Sequence, residues 1–198
     1  VLFTIAMAGP HQIWKMPLDE KEIGPYAGNG REDIVDGPLL PKEPYALGYS
    51  SFAQPSGLAT DGTNLYVADS EVSGVRVISG LKTDQPEVGR IVGMGLFDFG
   101  DQDGRGAEVR LQHCLGLAYG AGRLFIADTY NNKVKVADPA TKTVKTFSGD
   151  GTPGSSDKPA RFYQPGGLSV ANGNLYVADT NNHAIRVVEI KSGSVKTL

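Results

Sequence analysis

The segment GLAYGAGRLFIADTYNNKVKV, residues 116–136, decides the fold because the chain repeats it. Two further segments align with it without gaps, GLATDGTNLYVADSEVSGVRV at residues 57–77 and GLSVANGNLYVADTNNHAIRV at residues 167–187. The three copies begin 59 and then 51 residues apart, so they differ mainly in the length of the loops that join them. Self-similarity at such a spacing is typical of repeat architectures, in which each copy forms one structural unit.

Each copy has the sequence pattern of antiparallel β structure. Short apolar runs such as LYVAD alternate with glycine, asparagine and aspartate, and no segment shows a helical period. The first turn of each copy has the composition of a tight hairpin that needs positive φ angles, and this hairpin pairs strands a and b. A second connection leads to strand c, and a fourth strand, d, follows at about residues 88–92, 143–147 and 194–198. Four antiparallel strands in a unit of about 40 or more residues are typical of a β-propeller blade.

The N-terminal segment is predicted to be a degraded copy of the same unit. LFTIAMAGPHQIWKM, which starts at Leu2, matches LFIADTYNNKVKVAD, which starts at Leu124, after a shift of one residue. Met7 or Ala8 then replaces the aspartate that ends strand b in the other copies. We therefore predict an all-β propeller with one partial and three complete blades. The expected boundaries are 1–27 for the partial blade and about 52–93, 111–149 and 164–198 for the complete blades.

The repeated pattern F/L-x-x-P-x-G-L followed by L-Y-V-A-D-T-x-N-x-x-I/V-R/K-V resembles the NHL repeat. The resemblance implies a propeller of six four-stranded blades, of which this chain supplies an incomplete arc of about four. Segments such as YAGNGREDIVDGP and GLFDFGDQDG are similar to those of NHL proteins that also carry a thioredoxin-like domain, which implies that the chain belongs to a larger protein. Open sheet faces at the ends of such an arc favour homo-oligomers.

Composition excludes several classes of function. The 198 residues carry 19 Lys and Arg against 22 Asp and Glu, for a net charge of −3, which argues against nucleic acid as the partner. The one cysteine, Cys114, excludes an internal disulfide and a cysteine-based zinc cluster, and its position at the entry to strand a indicates a spacer. No apolar run is long enough to cross a bilayer and the opening residues lack a basic region, so we expect no membrane partner and a cytoplasmic location.

One group of residues recurs in the blades and is predicted to be structural. An aspartate or asparagine at the end of strand b can accept backbone N–H groups and hold the turn between strands b and c. The residues expected in this role are Asp69, Asp128 and Asp179, with Asn132 and Asn182 following them.

The loop LFDFGDQDG, residues 96–104, is the most individual segment of the chain. It accounts for most of the additional length between the first two complete copies, and it combines two aromatic residues with three acids. It is a candidate for docking a partner or for binding a hard cation such as calcium. Alternatively, the phenylalanines tuck between blades while the acids stay in water. The residues concerned are Phe97, Asp98, Phe99, Asp101 and Asp103.

Basic residues recur on strand c, at Arg76, Lys135 and Arg186. Such a row can bind an anion or RNA, although pairing with the nearby aspartates is the simpler expectation for an acidic chain. His183 lies in the last turn between strands b and c and is also a candidate contact, but three dispersed histidines have no metal-ligand spacing. We therefore expect no metal, no cofactor and no catalytic residue.

These observations predict a non-enzymatic propeller module that serves as a protein-interaction scaffold, within a larger protein that contains a thioredoxin-like domain. The alternative is a metal-dependent propeller lyase or hydrolase with its site on the central channel. RNA binding is a third hypothesis, and the acidic composition gives it the least support.

Overall fold

The repeat copies fold as successive antiparallel sheets along the chain. The computed structural model describes residues 2–18 and 21–198. Within these ranges the helical segments are three 3₁₀ turns of three residues each, and the remaining regular structure is β-strand. Four sheets form the blades of a β-propeller, which confirms the predicted fold class. The six-blade ring that the family resemblance implies stays a prediction.

The strands follow the chain in simple up-and-down order within each blade, with two additions from the connecting segments. Blade 1 contains β1 (Leu2–Met7), β2 (Gln12–Pro17) and β3 (Gly24–Ala27). Blade 2 contains β4 (Gly37–Pro38), β5 (Pro55–Thr60), β6 (Leu65–Asp69), β7 (Gly74–Ser79) and β8 (Glu87–Val92). Blade 3 contains β9 (Gly104–Arg105), β10 (Gly116–Gly120), β11 (Arg123–Asp128), β12 (Lys133–Asp138) and β13 (Thr143–Ser148). Blade 4 contains β14 (Pro165–Ala171), β15 (Asn174–Asp179), β16 (Ala184–Glu189) and β17 (Val195–Thr197).

Blade 1 supplies the equivalents of strands b, c and d. Met7 pairs with Gln12 across β1 and β2, as Asp128 pairs with Lys133 across β11 and β12. Met7 therefore occupies the place of the repeat aspartate, which settles the choice between Met7 and Ala8.

The core lies between consecutive blades. The inner strand β5 contacts β1 on one side and β10 on the other, and β10 contacts β14. Because strand side chains alternate between the two faces of a sheet, β6 directs Leu65 and Val67 to the core shared with blade 1 and Tyr66 and Ala68 to the core shared with blade 3. This double burial explains why the runs LYVAD, LFIAD and LYVAD are apolar on both faces.

The segments that join the blades add edge strands that the sequence pattern did not predict. β4 pairs with β8 at the outer edge of blade 2, and β9 pairs with β13 at the outer edge of blade 3. These two linkers thus leave strand d of one blade, run along the outside of the next blade and turn inward to strand a. We call the side of the arc that holds the b–c turns and the linker entries the linker side, and the opposite side the hairpin side.

One face of blade 4 has no neighbour among the described residues. Ile185 and Leu198 are 45% and 74% exposed, whereas Val134, at the repeat position of Ile185, is fully buried in blade 3. The homo-oligomer that such an open face favours stays a prediction. In the described ranges, no helix has the length and apolar character needed to span a membrane.

Candidate functional site

Each repeat aspartate ties the end of strand b to the start of strand a. Asp69, Asp128 and Asp179 are fully buried. Oδ1 of Asp69 accepts the N–H of Ala53 at 2.9 Å and of Gln54 at 3.0 Å. The equivalent oxygens of Asp128 and Asp179 accept the N–H groups of the residues that enter strand a, Gln112 and Tyr163, both at 2.7 Å. These bonds explain why every complete blade carries an aspartate at this place.

The second carboxylate oxygen also has a partner in each blade. Nη1 of Arg76 donates to Oδ2 of Asp69 at 3.3 Å, and Nη1 of Arg186 donates to Oδ2 of Asp179 at 3.0 Å. In blade 3 the donor is Nδ2 of Asn131, 2.9 Å from Oδ2 of Asp128.

The turn asparagines divide between two roles. Nδ2 of Asn182 donates to Oδ2 of Asp179 at 2.8 Å, in the role that the sequence suggested for it. Its equivalent in blade 3 is Asn131, which sequence reasoning missed although it lies 51 residues before Asn182. Asn132 instead adopts a left-handed conformation with φ of 54°, and its side chain accepts the N–H of Gln164 at 3.0 Å.

In each complete blade, a buried basic residue of strand c forms ion pairs with acids of the linker that enters the blade. We call this arrangement the clasp, and its pairs are Arg76 with Asp36, Lys135 with Asp101 and Asp103, and Arg186 with Asp157. The side chains of Arg76, Lys135 and Arg186 are at most 1% exposed. Arg76 bonds Asp36 at 2.8 Å, and Arg186 bonds Asp157 at 2.5 Å.

Lys135 makes the corresponding clasp in blade 3 with three acceptors. Its Nζ donates to Asp101 at 2.6 Å, to Asp103 at 2.7 Å and to the hydroxyl of Thr146 at 3.0 Å. These bonds use all three N–H donors of the ammonium group. Asp101 and Asp103 are therefore structural acceptors at the side of blade 3.

The type of cation matches the residue beneath it. The guanidinium of Arg76 lies 5.2 Å from the ring centroid of Phe52, and that of Arg186 lies 5.4 Å from the ring of Phe162. At the equivalent linker position blade 3 has Leu111, where strand c carries Lys135. A planar guanidinium stacks on an aromatic face, whereas a lysine stem needs only aliphatic contact. The clasp cations are thus shielded on one side and paired on the other, and they offer no open face to RNA or another anion.

The pKa values of two repeat aspartates and of two clasp acids are shifted in opposite directions. Burial raises the pKa of Asp69 and of Asp128 to about 6, despite the hydrogen bonds that each carboxylate accepts. Burial also acts to raise the pKa values of Asp101 and Asp103, but bonds from Lys133 and Lys135 lower the first, and bonds from Lys135 and Thr146 lower the second.

Asp128→Asn should change how stability depends on pH. Between about pH 4 and 6 the folded protein binds a proton at Asp128 that the unfolded chain does not, so acidification stabilises the fold through this group. The substitution removes that gain. Urea unfolding measures the free energy of unfolding of both proteins at each pH. The deficit of the variant relative to wild type should be roughly 1–3 kcal/mol larger at pH 4.5 than at pH 7. A loss that is the same at both pH values would contradict the raised pKa.

The aromatic residues of the loop at 96–104 project into solvent. Phe97 is 87% exposed and Phe99 is 58% exposed, and Asp98 is also exposed. Asp101 and Asp103, in contrast, are bound by lysines. The phenylalanines are therefore not tucked between blades, and of the three acids Asp98 stays in water while Asp101 and Asp103 are partly exposed and paired with lysines.

The remaining candidates do not assemble into a reactive site. His183 is exposed and left-handed at the last b–c turn, with φ of 52°. Cys114 is fully buried, its Sγ lies 3.1 Å from the carbonyl oxygen of Gly74, and burial raises the pKa of its thiol. His113 stacks on Tyr130 at a centroid distance of 4.5 Å. Among residues 2–18 and 21–198, no three histidine, cysteine or acidic side chains are placed to hold a metal ion.

Comparison with known proteins identifies the repeat. Residues 162–188 match the NHL repeat family, which confirms the resemblance drawn from the sequence. NHL repeat-containing protein 2 from Bos taurus is 44% identical over 98% of this chain, and Protein SUPPRESSOR OF QUENCHING 1, chloroplastic, from Arabidopsis thaliana is 42% identical over 96%. The chain spans 29% and 18% of the lengths of these two relatives, respectively. The crystal structure of a putative phosphatase from Bacteroides thetaiotaomicron matches 98% of this chain and 46% of that chain with a TM-score of 0.64, and at 17% identity it shows the fold alone.

Proposed function

For this propeller segment with an NHL repeat, we propose the function of a non-enzymatic protein-interaction scaffold. The observation that carries the proposal is the distribution of exposed large apolar side chains. Seven of the eleven in the described residues lie in the linkers and b–c turns rather than on the strands. These seven are Tyr45, Leu47, Met94, Phe97, Phe99, Tyr130 and Tyr163. Exposed apolar groups that gather on one side of a rigid arc are typical of a protein-binding surface.

The clasp makes the linker side a rigid platform. The linkers are bound to the blades by pairs between a buried cation and a partly exposed acid, so the backbone that displays these side chains is held in place. A surface that is ordered before binding loses less entropy when a partner docks. The buried clasp cations and the inaccessible Cys114 take no part in chemistry under this proposal.

The proposal also places the segment in a larger protein with a thioredoxin-like domain, in the cytoplasm. The support is the identity to much longer relatives, of which this chain spans less than a third. A reduced, buried Cys114 is compatible with a reducing compartment. The printed name of one relative assigns that protein to the chloroplast.

The scaffold function predicts a stoichiometric protein complex. The experiment captures proteins on the immobilised chain and then purifies each captured protein separately. At least one of them should form a 1:1 complex with the chain at a Kd of about 10 µM or tighter. EDTA should leave that Kd unchanged, since no metal takes part. Metal-dependent turnover of a substrate, or the lack of any complex that re-forms from purified components, would contradict the proposed function.

A further inference from the structure

One short loop on the linker side displays three large apolar side chains. Met94, Phe97 and Phe99 are 44%, 87% and 58% exposed within six residues of chain. Burial of large apolar side chains is favourable, so this loop leaves hydrophobic free energy unrealised in the isolated chain. Single exposed apolar residues are ordinary on a surface, but a contiguous group of this size usually marks an interface.

The loop is anchored on both sides of Phe97 and Phe99, so their exposure does not come from a loose segment. Leu96 packs against a small buried cluster on the linker side of blade 2, formed by Ile34, Ala53 and Val72. Gly100 donates its N–H to the carbonyl of Leu111 at 2.9 Å and accepts a bond from Nδ2 of Asn131 at 2.6 Å. The clasp holds the next residues, since Asp101 and Asp103 bind Lys135. The two phenylalanine rings therefore stand on a fixed base.

Exposed acids adjoin, in the chain, the residues that hold this base. Asp98 lies between the two phenylalanines, Asp33 precedes Ile34 in the chain, and Glu71 precedes Val72. Together with Glu32 they are exposed and form no salt bridge within the described residues.

Three cations lie near this group, and two of them keep an unpaired charge among the described residues. The Nε of Arg31 donates to the carbonyl of Tyr45 at 2.7 Å, and Arg110, which packs against Gly100, donates to the carbonyls of Ala107 and Val109. Arg90, which bonds the carbonyl of Ile34 at 3.2 Å, forms its ion pair with Asp36. Around the apolar centre at Phe97 and Phe99, four acids without an ion pair in this part of the chain (Glu32, Asp33, Glu71 and Asp98) therefore outnumber two such cations, and the balance of charge is negative.

We propose that residues 94–99, with Asp33, Glu71 and Asp98 at the rim, dock a protein segment that carries large apolar side chains flanked by lysine or arginine. The phenylalanines supply the desolvated centre that contributes most of the affinity of an interface. The acids steer a basic partner and reject an acidic one. The inference rests on the proposed scaffold function and assigns that function to one surface and one class of partner.

The test uses a phage-displayed library of random 12-residue peptides, selected on the purified full chain. The enriched peptides should combine two or more large apolar residues with a net positive charge. Synthetic copies should bind F97S/F99S at least about 30-fold more weakly than wild type. Asp98→Asn should weaken binding several-fold, mainly at low salt, because it removes rim charge. Both variants replace exposed side chains and should keep the urea midpoint of wild type.

A matched control replaces exposed apolar residues on the hairpin side. Leu18 and Ile23 are 53% and 47% exposed, and L18S/I23S should bind the selected peptides with the affinity of wild type. Equal binding by F97S/F99S and wild type, enrichment of acidic peptides, or no enrichment at all would overturn the assignment. One more alternative is that a second copy of the chain occupies this surface. Light scattering tests it, because wild type would then be a dimer and F97S/F99S a monomer, and that result would overturn the proposed basic partner.

The two proposals fail in different ways. If a purified protein partner binds F97S/F99S as tightly as wild type, the scaffold function stands and the docking surface is wrong. If no partner complex forms from purified components and selected peptides still require Phe97 and Phe99, the surface stands and the scaffold function is wrong.

Discussion

Gly116→Ala should destabilise the propeller by about 2–4 kcal/mol or prevent folding. A Cβ atom on Gly116 would lie 2.0 Å from the carbonyl oxygen of Gly166, on the inner strand of the next blade. The obstacle is backbone, so it cannot move aside as the end of a flexible side chain can. Relief requires β10 and β14 to separate, which opens the core between blades 3 and 4. Equilibrium urea unfolding of the purified variant measures the loss.

Gly167→Ala is the matched control, because Gly167 holds the same repeat position in blade 4. A Cβ atom there would lie 3.6 Å from the Cβ of Ala178, which is ordinary van der Waals contact. The variant should stay within about 0.5 kcal/mol of wild type or gain slightly from reduced freedom of the unfolded chain. Gly57→Ala should resemble Gly116→Ala, since its Cβ would lie 2.5 Å from the carbonyl oxygen of Leu115. Similar losses at Gly116 and Gly167 would show that the clash between blades is not the cause.

The same three glycines show what the sequence could and could not predict. Local signals predicted the blades, because the short apolar runs and the hairpin turns between them are read from neighbouring residues within one copy. The glycine that opens each copy was visible as a repeat feature, but its reason lies in the next blade, 50 residues away for Gly116 and Gly166. Only the packed arc shows that this position must lack a side chain.

The linkers were beyond sequence prediction for a related reason. β4 and β9 are two-residue strands with the sequences GP and GR, which have no strand pattern of their own. They pair because the clasp brings them to the outer edge of the next blade. The clasp bond between Lys135 and Asp101 spans 34 residues, so spacing along the chain gives no sign of it.

The aromatic loop was ambiguous because composition does not determine which residues of a loop turn inward. The interior position against the linker side of blade 2 is filled by Leu96, which leaves Phe97 and Phe99 outside. One alternative placed all three acids in water, and Asp98 is indeed exposed, but the buried Lys135 requires counter-charges and pairs with Asp101 and Asp103. The requirement of one buried charge therefore fixes the end of the loop.

Arg76→Met should destabilise the fold by about 3–5 kcal/mol at pH 7. Methionine keeps much of the length and apolar contact of the arginine stem, but it leaves the fully buried Asp69 without its cation. The carbonyls of Val35 and Ser51, which accept bonds from Arg76 at 2.7 and 2.8 Å, also lose their donors. Urea unfolding at pH 7 measures the change in free energy of unfolding.

Arg90→Met provides the control, because Arg90 binds the same acid as Arg76 at the surface. Its Nε lies 2.8 Å from Asp36, at the same distance as the Nη2 of Arg76, but its side chain is 29% exposed. Water screens this pair, so its loss should cost about 0–1 kcal/mol. The double variant R76M/D69N should recover part of the cost of R76M, since it no longer buries an uncompensated charge. If Arg76→Met and Arg90→Met cost the same, burial of the clasp cation does not stabilise the blade, and the linkers must be held by their backbone pairing alone.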